Sequence, residues 1–150
     1  MKRLLVILDS SVQASLALDE ALEIALALPG SEIVLLSIDE PSASWQLRRP
    51  QDPARARTSE RVMTLALARA NAAGVPTRGR VEIGDAAEVA ARVAREERCG
   101  HIFLPEQGPT PVARALMMLT GLSTTSSASR ILSLARLPVT VVTHESRSGL

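Results

Sequence analysis

Gly84-Asp85-Ala86-Ala87-Glu88 lies where an apolar strand ends and an amphipathic helix begins, and His101-Ile102-Phe103-Leu104 supplies a further strand soon afterwards. A strand, a polar turn, a helix and a second strand in this order form the βαβ unit of a parallel sheet. Parallel sheets place their ligand sites at the carboxyl ends of the strands. We therefore expect the functional residues of this chain at that edge of a sheet.

Five apolar segments alternate with stretches of helical periodicity, which predicts an α/β domain. Unbroken apolar runs such as Leu4–Leu8 are typical of central strands that helices cover on both faces. We predict an open, doubly wound five-stranded parallel sheet with helices on both faces, in one domain of residues 1–143 followed by a tail of residues 144–150. The predicted strands are 4–8, 33–38, 78–83, 101–104 and 138–142. The predicted helices are one capped by Ser10 or Ser11 and ended by Pro29-Gly30, one of residues 54–73, one that follows the Asp85 cap, and short ones at 112–119 and 126–137.

The apolar stripes of the helices predict which side chains face the sheet. Asp85, followed by Glu88 three residues later, predicts the N-cap of the third helix. The strand at 78–83 is less apolar than the others, which favours a place near the sheet edge. The expected buried stripes are Ala14, Leu18, Ala21, Leu22, Ala25 and Leu28 in the first helix, Val62, Leu65, Ala66 and Ala73 in the second, and Ala86, Val89, Ala90, Val93 and Ala94 in the third.

The charge balance and the aromatic content argue against several classes of partner. Lys and Arg total 17 against 16 Asp and Glu, and the chain has one Phe, one Trp and no Tyr. Balanced charge with few stacking side chains predicts neither a nucleic-acid nor an anionic-membrane partner. The single cysteine, Cys99, allows no internal disulfide, and no leader or membrane-spanning run is apparent, so we expect a cytoplasmic protein.

Common catalytic and metal-binding motifs are missing from the sequence. There is no Gly-x-x-x-x-Gly-Lys-Ser/Thr loop, no Gly-x-Gly-x-x-Gly after the first strand and no Gly-x-Ser-x-Gly elbow. His101 and His144 are the only histidines, and neither has partners at the spacing of a zinc site. We therefore predict no catalytic residues and no metal, and we expect Cys99 to pack as a small apolar residue at a helix end.

Candidate binding residues lie at the predicted carboxyl ends of the strands. Asp9 and Ser10 follow the first strand, Gly108 follows the fourth, and Thr125 and Ser126 precede the last helix. Hydroxyls and free backbone N–H groups at a helix start bind phosphate, because the donors converge and the helix dipole favours an anion. The same residue types are also the preferred N-caps of ordinary helices. Both interpretations, an anion site and structural capping, remain open.

Three segments in this order and spacing resemble the universal stress protein family, over residues 2–143. Residues 6–11, Val-Ile-Leu-Asp-Ser-Ser, are similar to the family's opening strand and its Asp-Gly-Ser turn. Residues 81–87 resemble its Gly-x-Pro/Ala-x turn between strand and helix. Residues 130–142, with Arg-Ile-Leu and the closing Pro-Val-Thr-Val-Val, are similar to its final helix and last strand. The resemblance implies the fold of the adenine nucleotide alpha-hydrolase-like proteins.

The resemblance also implies a nucleotide site that departs from the family pattern. In nucleotide-binding members, an Asp after the first strand and an aliphatic residue ending the second contact the adenine nucleoside, and Asp9 and Ile38 match these positions. The phosphates are held by Gly-x-x-Gly, nine residues, and Gly-Ser/Thr. Here Pro105 replaces the first glycine, Gly108 keeps the second, and Thr125-Ser126 stand in place of Gly-Ser after sixteen residues. Proline removes an N–H donor and backbone freedom, so ATP is not expected to bind in the usual mode.

Members of the family commonly pair as homodimers through the last strand. In this chain the pairing would involve Val139, Val141 and Val142, whose strand would present unpaired backbone groups at a sheet edge.

Two functions are therefore expected. The first is a non-enzymatic, cytoplasmic stress-response module that acts through homodimerisation and protein contacts and needs no cofactor. The second is a sensor of ATP, another adenine nucleotide or an anion, with a rearranged phosphate loop after Gly108. A hydrolase or nucleotidyl transferase is less favoured, because only Asp9, Asp39 and Glu106 offer carboxylates near the predicted site.

Overall fold

Strands and helices alternate along the chain in a computed structural model that describes residues 2–9, 12–39, 53–105, 119 and 127–142. No helix of this described part is long and apolar enough to cross a membrane. The elements are β1 (Arg3–Leu8), α1 (Val12–Ala27), β2 (Glu32–Asp39), α2 (Pro53–Ala72), β3 (Thr77–Ile83), α3 (Ala86–Glu96), β4 (His101–Pro105), α4 (Ser127–Ala135) and β5 (Val139–Val142). The predicted helix at 112–119 lies outside the described residues except for Leu119.

The five strands form one parallel sheet in the order β3-β2-β1-β4-β5. β1 is central, and its Leu4 pairs with Ile33 of β2 on one side and with His101 of β4 on the other. The prediction of an open, doubly wound five-stranded parallel sheet is confirmed. The less apolar strand, β3, lies at one edge as expected, and β5 lies at the other.

Each face of the sheet carries its own hydrophobic core. Leu4, Val6 and Leu8 of β1 pack into the core formed with α1 and α2. Leu5 and Ile7 point the opposite way, into the core formed with α3 and α4. Successive side chains of a strand alternate between faces, so an unbroken apolar run is what a strand buried on both faces requires. Burial of each such side chain contributes about 1.5–3 kcal/mol.

The helical stripes were predicted correctly except at two leucines. Leu28 is exposed, because α1 ends at Ala27 and Leu28 already belongs to the following turn. Leu65 is also exposed, because α2 turns Met63, Ala66 and Ala70 toward the sheet instead. The remaining predicted positions are buried or half-buried.

The turn between β3 and α3 is built as its sequence indicates. Asp85 is the N-cap, and its side chain accepts a hydrogen bond of 3.1 Å from the backbone N–H of Glu88. Gly84 has φ of 147°, in a region that other residues rarely adopt, and an added Cβ would lie 3.0 Å from Cγ2 of Val89. Glycine is therefore required where the chain leaves the sheet and enters α3.

Candidate functional site

A cavity of about 160 Å³ lies at the carboxyl ends of β1 and β2, beside the first turns of α2. The two strand ends are neighbours, because Leu8 pairs directly with Ser37. Asp9 and Ile38, which the sequence resemblance assigns to a nucleoside, both line this cavity. Its described lining consists of Leu8, Asp9, Ser37, Ile38, Asp39, Thr58, Ser59 and Val62.

The lining of the cavity combines an apolar wall with oxygen-bearing groups. Leu8 is buried, and Ile38 and Val62 are half-buried. The polar groups are the carboxylates of Asp9 and Asp39 and the hydroxyls of Ser37, Thr58 and Ser59. No residue of the described lining carries a positive charge. The chemistry suits an uncharged group that donates hydrogen bonds, such as a sugar or a base with an amino group.

The cavity is small for a whole ligand. Pockets that enclose drug-sized molecules measure about 300–1,000 Å³, whereas this one measures about 160 Å³. The described walls are therefore large enough for only one part of a drug-sized ligand.

Backbone contacts fix the β2 side of the cavity. The carbonyl of Asp39 accepts a hydrogen bond of 3.0 Å from the N–H of Gly84, and Asp39 pairs in register with Ile83. Val62 packs against the core between α1, α2 and the sheet. The end of β2 is thus hydrogen-bonded to the β3–α3 turn, while Val62 anchors α2 in the hydrophobic core.

Several predicted site residues cannot be placed in relation to this cavity. Ser10, Gly108, Thr125 and Ser126 lie outside the described residues, and their roles stay predictions. Pro105, at the position of the family's first motif glycine, is the last residue of β4. It is buried and pairs in register with Val142 of β5.

The three valines predicted at a dimer interface have different surroundings. Val142 is 2% exposed and belongs to the core of the α1–α2 face. Val139 is half-buried and packs against the core of the opposite face. Val141 is 38% exposed, so it presents the most accessible side chain of the three on the edge strand β5.

Three cavity residues were not foreseen from the sequence. Ser37 was treated as part of a buried strand, and Thr58 and Ser59 were not singled out. The available signal was the adjacent Thr58-Ser59 pair about one turn before Val62, a predicted inward position of the same helix.

His101 and Cys99 have structural surroundings. Nε2 of His101 lies 2.7 Å from Oγ1 of Thr140, and the His101 ring stacks on Phe103 with centroids 4.7 Å apart. Burial, followed by the charge of Lys2, lowers the pKa of His101. Cys99 is buried as predicted, and its burial raises the pKa of the thiol to about 11. The described residues contain no group of three or more His, Cys, Asp or Glu able to hold a metal ion.

Charged side chains of β3 and α3 form a connected cluster at the sheet edge. Nη1 of Arg80 lies 2.8 Å from Glu96 and 3.2 Å from Glu97, and Arg80 also pairs with Glu82. Arg92 reaches Glu82 and Glu96, each at 3.3 Å. Hydrogen bonds from Arg80 and then from Arg92 hold the pKa of Glu82 below its usual range. Together with Arg78, which pairs with Glu97, these groups balance three cations against three carboxylates and bind α3 to β3.

A second, more open depression runs along α3, and we call it the α3 groove. Its volume is about 470 Å³. Most of its lining comes from α3 and the preceding turn, and Leu134 of α4 closes one side. The lining residues are Ile83, Gly84, Asp85, Glu88, Val89, Ala91, Arg92, Arg95 and Leu134.

The parallel five-stranded sheet with helices on both faces defines the class of doubly wound α/β domains, and the cavity lies at the sheet edge where such domains bind ligands in general. Within that class, the sequence model of the universal stress protein family matches residues 1–143, and the chain belongs to this family. A comparison with curated proteins found no match.

Solved structures of the family share this fold. A universal stress family protein from Burkholderia pseudomallei is 28% identical, with a TM-score of 0.66 over 94% of this chain and 95% of that one. A universal stress protein from Archaeoglobus fulgidus in complex with dAMP is 13% identical, with a TM-score of 0.67 over 95% and 98%. An Arabidopsis thaliana family protein with AMP bound is 14% identical, with a TM-score of 0.60 over 95% and 91%. At their identities, the last two show likeness of fold alone.

Proposed function

We propose that this chain is a non-enzymatic nucleotide sensor that binds the nucleoside part of an adenine nucleotide in the cavity between β1, β2 and α2. One observation carries the proposal: Asp9 and Ile38, the two positions matched to nucleoside contacts, line the same cavity. The carboxylate of Asp9 suits the hydroxyls of a ribose, and the side chains of Ile38 and Val62 suit the face of a base. Relatives of the same fold in complex with dAMP and with AMP support it.

The proposed ligand carries at most one phosphate. Pro105 lacks the N–H that a glycine would offer to phosphate, and it is fixed in register beside Val142. Adenosine and AMP are therefore the expected ligands, ahead of ATP.

The absence of catalysis is part of the proposal. The described cavity lining offers carboxylates and hydroxyls and contains no His, Lys or Cys, a set of groups that suits hydrogen bonding to a ligand. Binding without turnover makes ligand occupancy itself the signal.

We propose further that β5 pairs with β5 of a second copy, and that the domain works in the cytoplasm through this homodimer and its protein contacts. β5 is an edge strand, and an unpaired edge is a template for a further strand. The accessible side chain of Val141 lies on that edge. A single buried cysteine agrees with a reducing compartment.

Thermal unfolding with adenosine, AMP, ADP, Mg-ATP and GMP tests the nucleotide proposal. A ligand at a hundred times its Kd adds about 2.7 kcal/mol to stability, which corresponds to roughly 5–10 °C for a domain of this size. We expect this shift with adenosine and AMP and its loss in Asp9→Asn. Glu60→Gln, which makes the same chemical change at an exposed position of α2, is the matched control and keeps the shift.

Two outcomes contradict the nucleotide proposal at different points. If Mg-ATP stabilises the protein as strongly as AMP, the argument from Pro105 is wrong. If no adenine compound stabilises the protein, the cavity is not a nucleotide site and the protein-contact function remains. The variant Pro105→Gly checks the same point directly, because it should improve ATP binding if proline is the obstacle.

Sedimentation measurements test the homodimer. Val141→Asp places a charge on the β5 edge and should convert a dimer to a monomer. Val81→Asp makes the same change on the opposite edge strand, β3, where Val81 is also exposed. It should leave the β5 dimer intact. Equal masses for the wild type and Val141→Asp would reject pairing through β5.

A further inference from the structure

The outer surface of α3 carries one negative and one positive side chain that the neighbouring ion-pair cluster does not use. Glu88 lies in the first turn of the helix and Arg95 in the last, and both are exposed. Among the described residues, neither side chain has a hydrogen bond or an ion pair, although both line the α3 groove. A spacing of seven residues places them on the same side of the helix, two turns apart.

Between these charges the α3 groove has a floor of small residues and exposed apolar flanks. Gly84 and Ala91 lie in the groove, and Ala91 is only 2% exposed. Ile83 at one flank is 73% exposed, and Leu134 of α4 is 46% exposed. Large apolar side chains left in water beside a recessed surface favour contact with another macromolecule. A small molecule here would remain largely in solvent, which is atypical of small-molecule sites.

We infer that the α3 groove is a contact between two copies of this chain, with the two α3 helices antiparallel across a twofold axis. In such an isologous contact the same surface faces itself, so its charges must be self-complementary. An axis midway between Glu88 and Arg95 places Glu88 against the partner's Arg95, and Arg95 against the partner's Glu88. The contact therefore contains two Glu88–Arg95 ion pairs, which the twofold axis relates to each other.

The same register brings Arg92 of each copy beside the twofold axis, while Ala91 stays buried beneath the helix surface. Arg92 is already held by Glu82 and Glu96, each at 3.3 Å, which draws its guanidinium toward β3. The carboxylate of Asp85, at the start of α3, is paired with Arg130. The charges beside Glu88 and Arg95 are therefore internally neutralised.

This contact is separate from the proposed β5 dimer. The α3 groove begins at the end of β3, and β3 and β5 are opposite edges of the sheet. The two contacts use different elements, α3 and β5, and if both form they join homodimers into larger assemblies. Exposed ion pairs add little affinity by themselves, so the α3 contact forms at high protein concentration and sets orientation more than strength.

Sedimentation equilibrium of Val141→Asp, from micromolar to near-millimolar protein, isolates the α3 contact because this background removes β5 pairing. We expect reversible self-association. Glu88→Arg and Arg95→Glu should each raise the dimer Kd by at least about tenfold, since each creates two like-charge contacts. The double variant, Glu88→Arg with Arg95→Glu, should restore association because it reverses both members of each pair. Glu60→Arg on α2 is the control and should have no effect.

Three results would overturn the inference: no association at the highest concentration, association that the single reversals leave unchanged, or a double variant as weak as the single ones. Restored association in the double variant is the decisive result, because nonspecific charge effects do not predict it. If Glu88→Arg weakens the fold through the helix dipole, Glu88→Gln and Arg95→Gln provide milder single variants. If Val141→Asp leaves β5 pairing intact, β5-mediated association will persist in all charge variants, so the two proposals fail distinguishably.

Discussion

Arg130 donates two hydrogen bonds of 3.1 Å to Asp85, from Nη1 to Oδ1 and from Nη2 to Oδ2. Asp85 also accepts the backbone N–H of Glu88 and so caps α3. The carboxylate of Asp85 thus caps the start of α3 and, through Arg130, links α4 to α3. The hydrogen bond from Arg130, followed by that from Glu88, lowers the pKa of Asp85.

Substitutions of Asp85 separate its cap from its ion pair. Asp85→Asn keeps an oxygen that can cap the helix but loses the charge, whereas Asp85→Ala loses both. We expect Asp85→Ala to be less stable than Asp85→Asn by about 1 kcal/mol, or roughly 2–4 °C in Tm. Thermal unfolding near neutral pH measures the difference. Equal Tm values would show that the cap contributes nothing.

Arg80→Gln tests the ion-pair cluster between β3 and α3. The variant leaves Glu82, Glu96 and Glu97 without their shared cation, and we expect a fall in Tm of about 2–4 °C at low salt. In about 1 M NaCl the difference should shrink, because the Debye length falls to about 3 Å. Glu82 and Glu96 have lowered pKa values, so their stabilisation is present at neutral pH and is lost as pH falls through the folded-state pKa values. A difference between wild type and variant that persists unchanged at about pH 3 would contradict this account.

His101 predicts a loss of stability in mildly acidic solution. Its pKa is lowered in the folded state, so below about pH 6.5 the unfolded chain takes up the proton more readily. Stability therefore begins to fall as pH decreases through about 6.5 and continues to fall until the pH passes the lower pKa of the folded state. Denaturant unfolding of His101→Gln should show a weaker decline, while His144→Gln, at the only other histidine, should behave as wild type. The same decline in both variants would mean that another group is responsible.

Two isoleucines provide a matched test of the cores. Ile102 of β4 is fully buried in the core of the α3–α4 face, whereas Ile83 at the end of β3 is largely exposed. Ile102→Ala should cost about 2–5 kcal/mol, and Ile83→Ala should stay within about 0.5 kcal/mol. Urea unfolding of the two variants compares them directly. A large cost at Ile83 would indicate that the α3 groove is already covered in the free protein.

The sequence was sufficient to predict local structure and burial where these follow from the composition of the segment itself. The unbroken run of β1 requires two covered faces, and Gly84-Asp85 requires a turn into a helix, so both could be predicted. The exposure of Leu28 could not, because it depends on the end of α1. Beyond that end, the hydroxyl of Ser31 donates to the carbonyl of Leu28 at 2.7 Å and closes the turn.

The candidate site was predictable only on its strand side. Asp9 and Ile38 follow or end strands that could be recognised, so their common edge was expected. Thr58 and Ser59 join them because α2 passes close to that edge, and the crossing of a helix over a sheet is set by packing across the whole face. Charges such as Arg80 and Glu96 lie sixteen positions apart, and their pairing depends on the same tertiary arrangement.

The central position of β1 also has a consequence for synthesis. β1 is synthesised before both of its sheet partners, and one of them, β4, pairs its His101 with Leu4 from a distant part of the sequence. While the ribosome is still producing the intervening helices, β1 has a free edge and apolar side chains that the finished molecule hides on both faces. A nascent chain arrested before β4 should therefore depend on chaperones and tend to aggregate. The same chain extended through β4 should not.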